Sequence, residues 1–140
     1  MANVVITWNG DEVKRRAEIA ARHTPYELGL AIEGQAKLLA PVDTGRLRGS
    51  ITTASGDGTH TNPSGPGANS SDKLQTPEAP NITHVGTPVD YAPHQEYGTI
   101  RMAAQAFLRP ALDIIRGKAL SIVSKTAKQD FGEYLHTGGK

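Results

Sequence analysis

The run LLAPVDTGRLRGSI, residues 38–51, decides the fold because it contains a helix end, a turn and a strand start in direct succession. Pro41 has no backbone N–H to continue a helix, so the preceding helix is expected to end there. Asp43–Gly45 has the composition of a turn, in which the aspartate accepts hydrogen bonds from nearby backbone N–H groups and the glycine adopts a positive φ. We predict a strand over residues 47–54, where β-branched side chains alternate loosely with others.

Residues 11–40, upstream of the turn, show helical periodicity in two parts. Thr24-Pro25-Tyr26-Glu27 divides them and has the composition of a helix start with a capping box. The segment therefore predicts either two helices or one long helix kinked at Pro25, about 45 Å long if continuous. Further upstream, we predict a short strand over Val4–Trp8, and we expect Asn9 or Asp11 to cap the first helix.

Downstream, Gly56–Pro80 contains four glycines, four prolines and little to bury besides Leu74. Such a segment cannot offset its ordering entropy by burial. We therefore predict a long loop at 56–80 that becomes ordered only in an assembly, by docking on a neighbouring ring or lining a channel. A tolerated surface insertion is the alternative. Residues 81–89 resume strand character and are expected to pair with 47–54, so that the loop is an excursion from a hairpin.

The C-terminal third predicts a turn-rich bridge over 91–99 and then a last helix. That helix is expected to begin at Pro110 and end at about Gln129, with a flexible tail over 132–140. Its apolar spacing predicts one buried stripe, formed by Leu112, Ile115, Ala119, Ile122 and Val123. Together these elements predict one α+β domain over 1–140, in which a long kinked N-terminal helix and a C-terminal helix pack on a small antiparallel sheet.

Composition excludes several classes of site and protein. The 140 residues include no cysteine, which rules out disulfides, cysteine nucleophiles and thiolate zinc sites. No apolar run approaches the roughly 20 residues that span a bilayer, and we expect a protein that folds in a cytoplasm and contacts no membrane. The net charge of +1 disfavours DNA recognition as the primary role, because phosphate-binding domains carry a clustered basic surplus.

The sharpest enzymatic alternative is an aspartic protease built on Asp43, since such enzymes carry an Asp-Thr-Gly signature. Their chemistry needs two carboxylates that share one proton, which a chain with one motif supplies only as a dimer. The preceding long helix and the bulky Arg46 argue against it, and a helix-to-strand turn is the simpler interpretation. The five histidines form no i, i+4 pair or metal-ligand pattern, and serine-nucleophile and phosphate-loop motifs are absent. We therefore predict no enzyme, no catalytic residue, no cofactor and no metal.

Three blocks of the sequence resemble the HK97 gp10-like family of tailed-phage proteins. The first is residues 38–51, the second is Val85-Gly86-Thr87 with Tyr91-Ala92-Pro93 and Glu96-Tyr97-Gly98-Thr99, and the third is residues 102–111. They occur in the family's order. Two departures stand out: Ala106 replaces a proline that commonly precedes the phenylalanine of the third block, and the 56–80 segment is longer than the pattern requires.

The resemblance implies a structural virion protein that acts in the phage neck or tail, after synthesis in the host cytoplasm. It implies a ring, hexameric by expectation, that joins the head-closure region to tail-terminator or tail-tube proteins while DNA passes through the channel without specific recognition. A tail-terminator ring is the alternative. The structural and interface residues that it implies are Pro41, Asp43, Thr44, Gly45, Arg46, Leu47, Arg48, Tyr91, Glu96, Tyr97, Gly98, Phe107, Leu108, Arg109 and Pro110.

Within that set, the resemblance suggests a role for each group. Residues 43–45 would fix the helix-to-strand corner, while Arg46 and Arg48 would pair with acidic groups of an adjacent subunit. Tyr91, Glu96 and Tyr97 are expected at a subunit contact. Phe107 and Leu108 would anchor the last helix to the core, and Arg109 would be available for a bidentate salt bridge.

Overall fold

The structure, a computed structural model, describes residues 8–137, with side chains from 8 to 132. It contains two 30-residue helices, two short helices and two short strands, which confirms the predicted α+β class. In chain order these are α1 (Gly10–Leu39), α2 (Arg46–Ser50), β1 (Thr52–Ser55), β2 (Thr83–Gly86), α3 (Ala92–Tyr97) and α4 (Leu108–Thr137). Of the strand predicted over Val4–Trp8, residues 4–7 lie outside the described range. Trp8 is exposed and belongs to no strand.

Helix α1 is one continuous helix, so Thr24 does not cap a second one. Pro25 lies inside it and cannot donate to the carbonyl of Ala21, but the hydrogen bonds on either side are enough to continue the helix. Asn9 occupies the N-cap position without a side-chain cap bond, and Asp11 lies in the first turn rather than capping it. An acidic residue there favours the helix dipole.

The C-terminal third of α1 is the part that packs on the sheet. Gly29, Glu33 and Ala36 are its buried residues. A Cβ at Gly29 would lie 2.8 Å from the Thr53 methyl and 2.7 Å from the Thr83 methyl, so the helix backbone approaches both strands closely. A glycine inside a helix costs stability, and this close contact is the reason for one here.

Strands β1 and β2 form a two-stranded antiparallel sheet in which Thr52 is opposite Gly86 and Ser55 is opposite Thr83. The predicted pairing across a long excursion is confirmed, although both strands are shorter than predicted. Residues 46–50 are helical instead of extended. Leu47 and Ile51, four residues apart, are both buried, and that spacing puts two side chains on one face of a helical turn as well as on one face of a strand, so the local pattern did not distinguish the two.

The 56–80 segment packs on the rest of the chain in the structure, and the prediction that it becomes ordered only in an assembly stays a prediction. Its first part folds back on β1: the Thr61 N–H donates to the Thr53 carbonyl at 2.9 Å, and His60 forms an antiparallel bridge with Ala54. Asp72 and Pro77 are buried, and Leu74 is half-buried beside Gly86. This segment has little apolar core of its own, and its position depends on backbone hydrogen bonds and on buried polar groups.

Helix α4 lies antiparallel to α1, since Ala111 clusters with Ala36 while Asp130 contacts His23. It begins at Leu108, two residues before the predicted start, and continues to Thr137, past the predicted end at about Gln129 and into the 132–140 segment predicted as a flexible tail. The buried stripe passes through Ala111 and Ile115. Leu112, predicted to be buried, is half-exposed because it lies about 100° around the helix from that stripe.

Phe107 is fully buried in the core cluster with Leu47, Ile51 and Ala92, the burial that the predicted anchoring role requires. We expect Phe107→Ala to lower the free energy of unfolding by about 3–5 kcal/mol, because the substitution removes a buried ring and leaves a cavity. Urea unfolding followed by circular dichroism measures the change. An unfolding midpoint equal to that of the unmodified chain would contradict the anchoring role.

Two glycines of α1 form a matched pair. A Cβ at Gly34 meets nothing within 4 Å, whereas one at Gly29 meets two threonine methyls of stiff, β-branched side chains. We expect Gly34→Ala to stabilise the protein by roughly 0.5–1 kcal/mol, and Gly29→Ala to destabilise it despite the same gain in helix propensity. Thermal unfolding of both variants checks this, and shifts of equal sign would show that α1 does not approach the sheet as described.

Candidate functional site

The connection from α1 to α2 forms a sharp corner, which we call the corner (residues 40–45). The Ala40 N–H donates to the Ala36 carbonyl at 2.8 Å, after which the chain turns extended into half-buried Pro41. Gly45 has φ +80° and caps α2, where the Gly49 N–H donates back to its carbonyl at 2.8 Å. The predicted positive φ at this glycine is confirmed. Only a residue without a Cβ adopts such a conformation without strain.

The long loop closes against this corner. A Cβ at Gly45 would lie 2.9 Å from the Pro66 carbonyl oxygen, and the Ser64 N–H donates to the Gly49 carbonyl at 3.0 Å. The Arg46 guanidinium lies 3.8 Å from the buried Asp72 carboxylate in the same loop. Arg46, predicted to pair across a subunit boundary, therefore has an acidic neighbour within its own chain, whereas Arg48 is exposed.

Two depressions flank the corner and share Val42, Asp43, Thr44 and Gly45 in their walls. The first has a volume of about 560 Å³ and extends from Leu38 to the loop at residues 64–66. The second has a volume of about 740 Å³ and extends to Tyr91, Met102 and Gln105. The corner thus separates two concave surfaces.

Asp43 does not hold the corner in the predicted way. Across the described side chains, its carboxylate has no hydrogen-bond partner, and both Asp43 and Thr44 are exposed. Gly45 and the loop packed on it fix the backbone instead. The aspartate is flanked by α1 and α2, and neither of its neighbouring elements is a strand.

The second motif cluster surrounds the N-terminus of α4. Oε2 of Glu96 accepts hydrogen bonds from the N–H groups of Phe107 at 2.9 Å and Leu108 at 3.0 Å, while Oε1 accepts that of Arg109 at 3.0 Å. The next residue, Pro110, has no N–H, and the first intrahelical bond runs from the Ala111 N–H to the Phe107 carbonyl. The Glu96 carboxylate therefore accepts the N–H groups that the start of α4 leaves without intrahelical partners. Pro110 adds no further one, because proline has no N–H.

Arg109 completes this cap. Its Nε donates to Glu96 Oε1 at 3.0 Å, and a terminal nitrogen donates to the Glu96 backbone carbonyl at 2.9 Å. The guanidinium also lies 4.7 Å from the centre of the exposed Tyr97 ring, a cation–π distance. The predicted bidentate salt bridge is thus replaced by a bridge to one carboxylate oxygen and one carbonyl of the same residue.

Burial raises the pKa of Glu96, but the three backbone N–H groups and the Arg109 guanidinium outweigh it and hold the pKa below its usual value. The carboxylate is 5% exposed. Glu96 is therefore used inside the chain, which corrects the expectation that it lies at a subunit contact. Its sequence neighbours Tyr91 and Tyr97 are exposed, and Gly98 ends α3 by donating its N–H to the His94 carbonyl.

A third polar cluster, which the sequence interpretation missed, joins α1, β1 and the loop. The buried Glu33 accepts hydrogen bonds from Lys37 Nζ at 2.6 Å, Thr53 Oγ1 at 2.6 Å and Thr61 Oγ1 at 2.7 Å. Thr61 Oγ1 also accepts the Thr53 N–H at 2.7 Å. An acidic residue within the apolar stripe of α1 was the available signal, since such a residue is seldom buried without partners.

The predicted residues separate into three groups. Leu47, Phe107, Leu108 and Pro110 surround the core and the start of α4, Glu96 and Arg109 form the cap with Tyr97 and Gly98 beside it, and the remainder surround the corner. Among the described side chains, none of the exposed residues in this set forms a hydrogen bond or ion pair with the Asp43 carboxylate. Across residues 8–132, no group of three or more histidine and acidic side chains is arranged to hold a metal ion.

No helix in the part of the chain that the structure describes is long and apolar enough to cross a bilayer. Comparisons of the chain with protein-family models, curated protein sequences and solved structures find no match.

We expect Glu96→Gln to lower stability at neutral pH by about 2–4 kcal/mol, because an amide supplies one acceptor oxygen where three backbone N–H groups and a guanidinium need two. Since the folded-state pKa is lowered, the carboxylate's contribution is complete above the unfolded-state value of about 4.3 and is lost as pH falls through the folded value. The difference between the two proteins should therefore shrink in acid.

Urea unfolding at a series of pH values, from neutral to acidic, measures this difference. Glu78→Gln is the matched control, because Glu78 is an exposed carboxylate in the long loop. A stability loss in Glu96→Gln that stays constant down to acid pH, or that Glu78→Gln reproduces, would contradict the cap.

Proposed function

We propose that this protein is a non-enzymatic structural component of a tailed-bacteriophage virion, a neck or tail-completion subunit that acts as one copy in a ring. The observation that carries the proposal is the set of exposed apolar side chains around the corner and the end of α3. Leu38 is 79% exposed, Val42 60% and Tyr97 68%, and Ile100 is fully exposed. Large apolar side chains that the fold leaves this exposed are candidates for a protein–protein contact.

The position of the three sequence blocks supports the same proposal. The first block forms the corner and α2, the second forms the end of β2 with α3, and the third forms the start of α4. Their buried members pack into one core cluster that includes Leu47, Ala92 and Phe107. Among their exposed members, Asp43 and Arg48 line the first depression, and Tyr91, Met102 and Gln105 line the second, so all three blocks contribute to the walls of the depressions.

The proposed partners are further copies of this chain, head-closure proteins and tail-terminator or tail-tube proteins. A ring of this kind leaves a channel for DNA, and a net charge of +1 fits passage without sequence recognition. A head-to-tail contact that closes on itself generates such a ring, with roughly six copies expected. A tail-terminator ring would use the same surfaces, and the partner that templates assembly distinguishes the two.

The test is the mass of the purified protein by light scattering, alone and after mixing with tail tubes or DNA-filled heads. We expect a species of about six times the 14.9 kDa chain, or a monomer that forms that species on one of these partners. Asp43→Asn should retain joining of heads to tails, apart from a moderate loss. A stable dimer that ignores virion parts, with peptide cleavage abolished by Asp43→Asn, would overturn the proposal in favour of an aspartic protease.

A further inference from the structure

A tight turn over Thr99–Met102, which we call the tip, presents an isoleucine directly to solvent. The Thr99 N–H donates to the Met102 carbonyl at 2.8 Å, and the Met102 N–H returns to the Thr99 carbonyl at 3.3 Å. The Arg101 N–H donates to Thr99 Oγ1 at 3.2 Å. A further bond from the Gln105 N–H to the Gln95 carbonyl at 2.7 Å ties the segment to α3. The tip is therefore held in place before any partner binds.

The side chains at the tip are unusual for a turn. Turns favour glycine, proline and small polar residues, but Ile100 is fully exposed here and Arg101 follows it. Within the described residues, the guanidinium of Arg101 has no acidic partner. The tip thus offers an apolar group that gains from burial, next to an unpaired cation.

The first depression has the complementary chemistry. Its wall contains the exposed side chains of Leu38 and Val42 and the unpaired carboxylate of Asp43. Lys37 and Arg48 also line this depression. The Lys37 ammonium is hydrogen-bonded to Glu33 at 2.6 Å, so the unpaired charged groups in the wall are Asp43 and Arg48. Asp43 is therefore the acidic group available to an incoming cation.

The tip and the first depression lie on different sides of the corner. Met102, at the end of the tip, lines the second depression, whereas Leu38 lines the first. One copy can therefore donate its tip to one neighbour while it accepts the tip of another. Two different surfaces used in this way make a heterologous contact, which closes into a ring when the rotation between copies permits.

We propose that the tip of one copy inserts into the first depression of the next copy, where Ile100 packs on Leu38 and Val42 and Arg101 pairs with Asp43. This inference rests on the proposed ring-forming function and specifies its contact. It gives Asp43, which does not hold its own corner, an intermolecular role. It also explains why an isoleucine is exposed at a turn that backbone hydrogen bonds already hold rigid.

Disulfide capture tests the geometry, because the natural chain contains no cysteine. Separately tagged Ile100→Cys and Leu38→Cys proteins are mixed under conditions in which the unmodified protein assembles, and are then oxidised. We expect a mixed disulfide dimer at least about tenfold more abundant than that formed with the control Leu120→Cys, a leucine on α4 that is 87% exposed against 79% for Leu38. Equal yields from the two mixtures would overturn the contact.

A charge exchange tests the ion pair in the full-length protein. Asp43→Arg and Arg101→Asp should each raise the concentration needed for assembly at least about tenfold, and the double variant should recover most of that loss. Circular dichroism confirms that each variant folds. Assembly unaffected by the single substitutions, or no recovery in the double variant, overturns the inference.

The two proposals fail in distinguishable ways. If the unmodified protein forms rings but the exchange and the disulfide pair have no effect, the contact is wrong and the virion function stands. If Ile100→Ser abolishes binding to tail tubes and leaves self-assembly intact, the tip binds a different virion protein, and the contact is again wrong. An unmodified protein that stays monomeric alone and with every virion part overturns both.

Discussion

The rest of the structure depends on one carboxylate, that of Glu96, at the start of α4. A 30-residue helix begins here with its first N–H groups close to the core, where unpaired donors are costly. Glu96 accepts three of them, and Pro110 removes the next. The same interaction fixes the start of α4, along which Ala111 and Ile115 are buried and Leu112 is half-exposed.

Polar contacts of this kind replace part of what a larger apolar core would supply. Only 37% of the residues are hydrophobic, and the fully buried side chains include the hydrogen-bonded hydroxyls of Ser50 in α2 and Thr53 in β1. Glu33 has a similar role for the long loop, because its carboxylate on α1 accepts hydrogen bonds from Thr53 of β1 and Thr61 of the loop. Hydrogen bonds to charged groups are stronger than neutral ones, and they also fix direction, which apolar burial does not.

Most of what the sequence predicted correctly was local: α1 ended just before Pro41, and Gly45 took a positive φ. The pairing of the two β-branched runs across the long loop is a distant contact that it also predicted. What it missed depended on partners distant in the chain. The pattern at 46–50 permitted either a strand or a turn of helix, since both place Leu47 and Ile51 on one face, and in the structure the two residues belong to the core cluster with Phe107. Nothing near Glu96 indicated that it would cap a helix eleven residues later, because the loop that returns the chain to it has no periodicity.

The carboxylates of Glu33 and Glu96 differ from that of Asp43 in what they contact. The first two bind groups of their own chain, whereas Asp43 is available to a partner. Glu33 and Glu96 are buried and fully engaged, so a substitution at either is expected to act through folding. Asp43 belongs to the same sequence block, residues 38–51, as the buried Leu47. Its side chain is nevertheless exposed and forms no hydrogen bond or ion pair with the described residues of its own chain. A motif residue without a structural role in the folded monomer is best explained by a role outside it. The rigid tip supplies the opposite charge and an apolar group, and these two features give that external role a specific form.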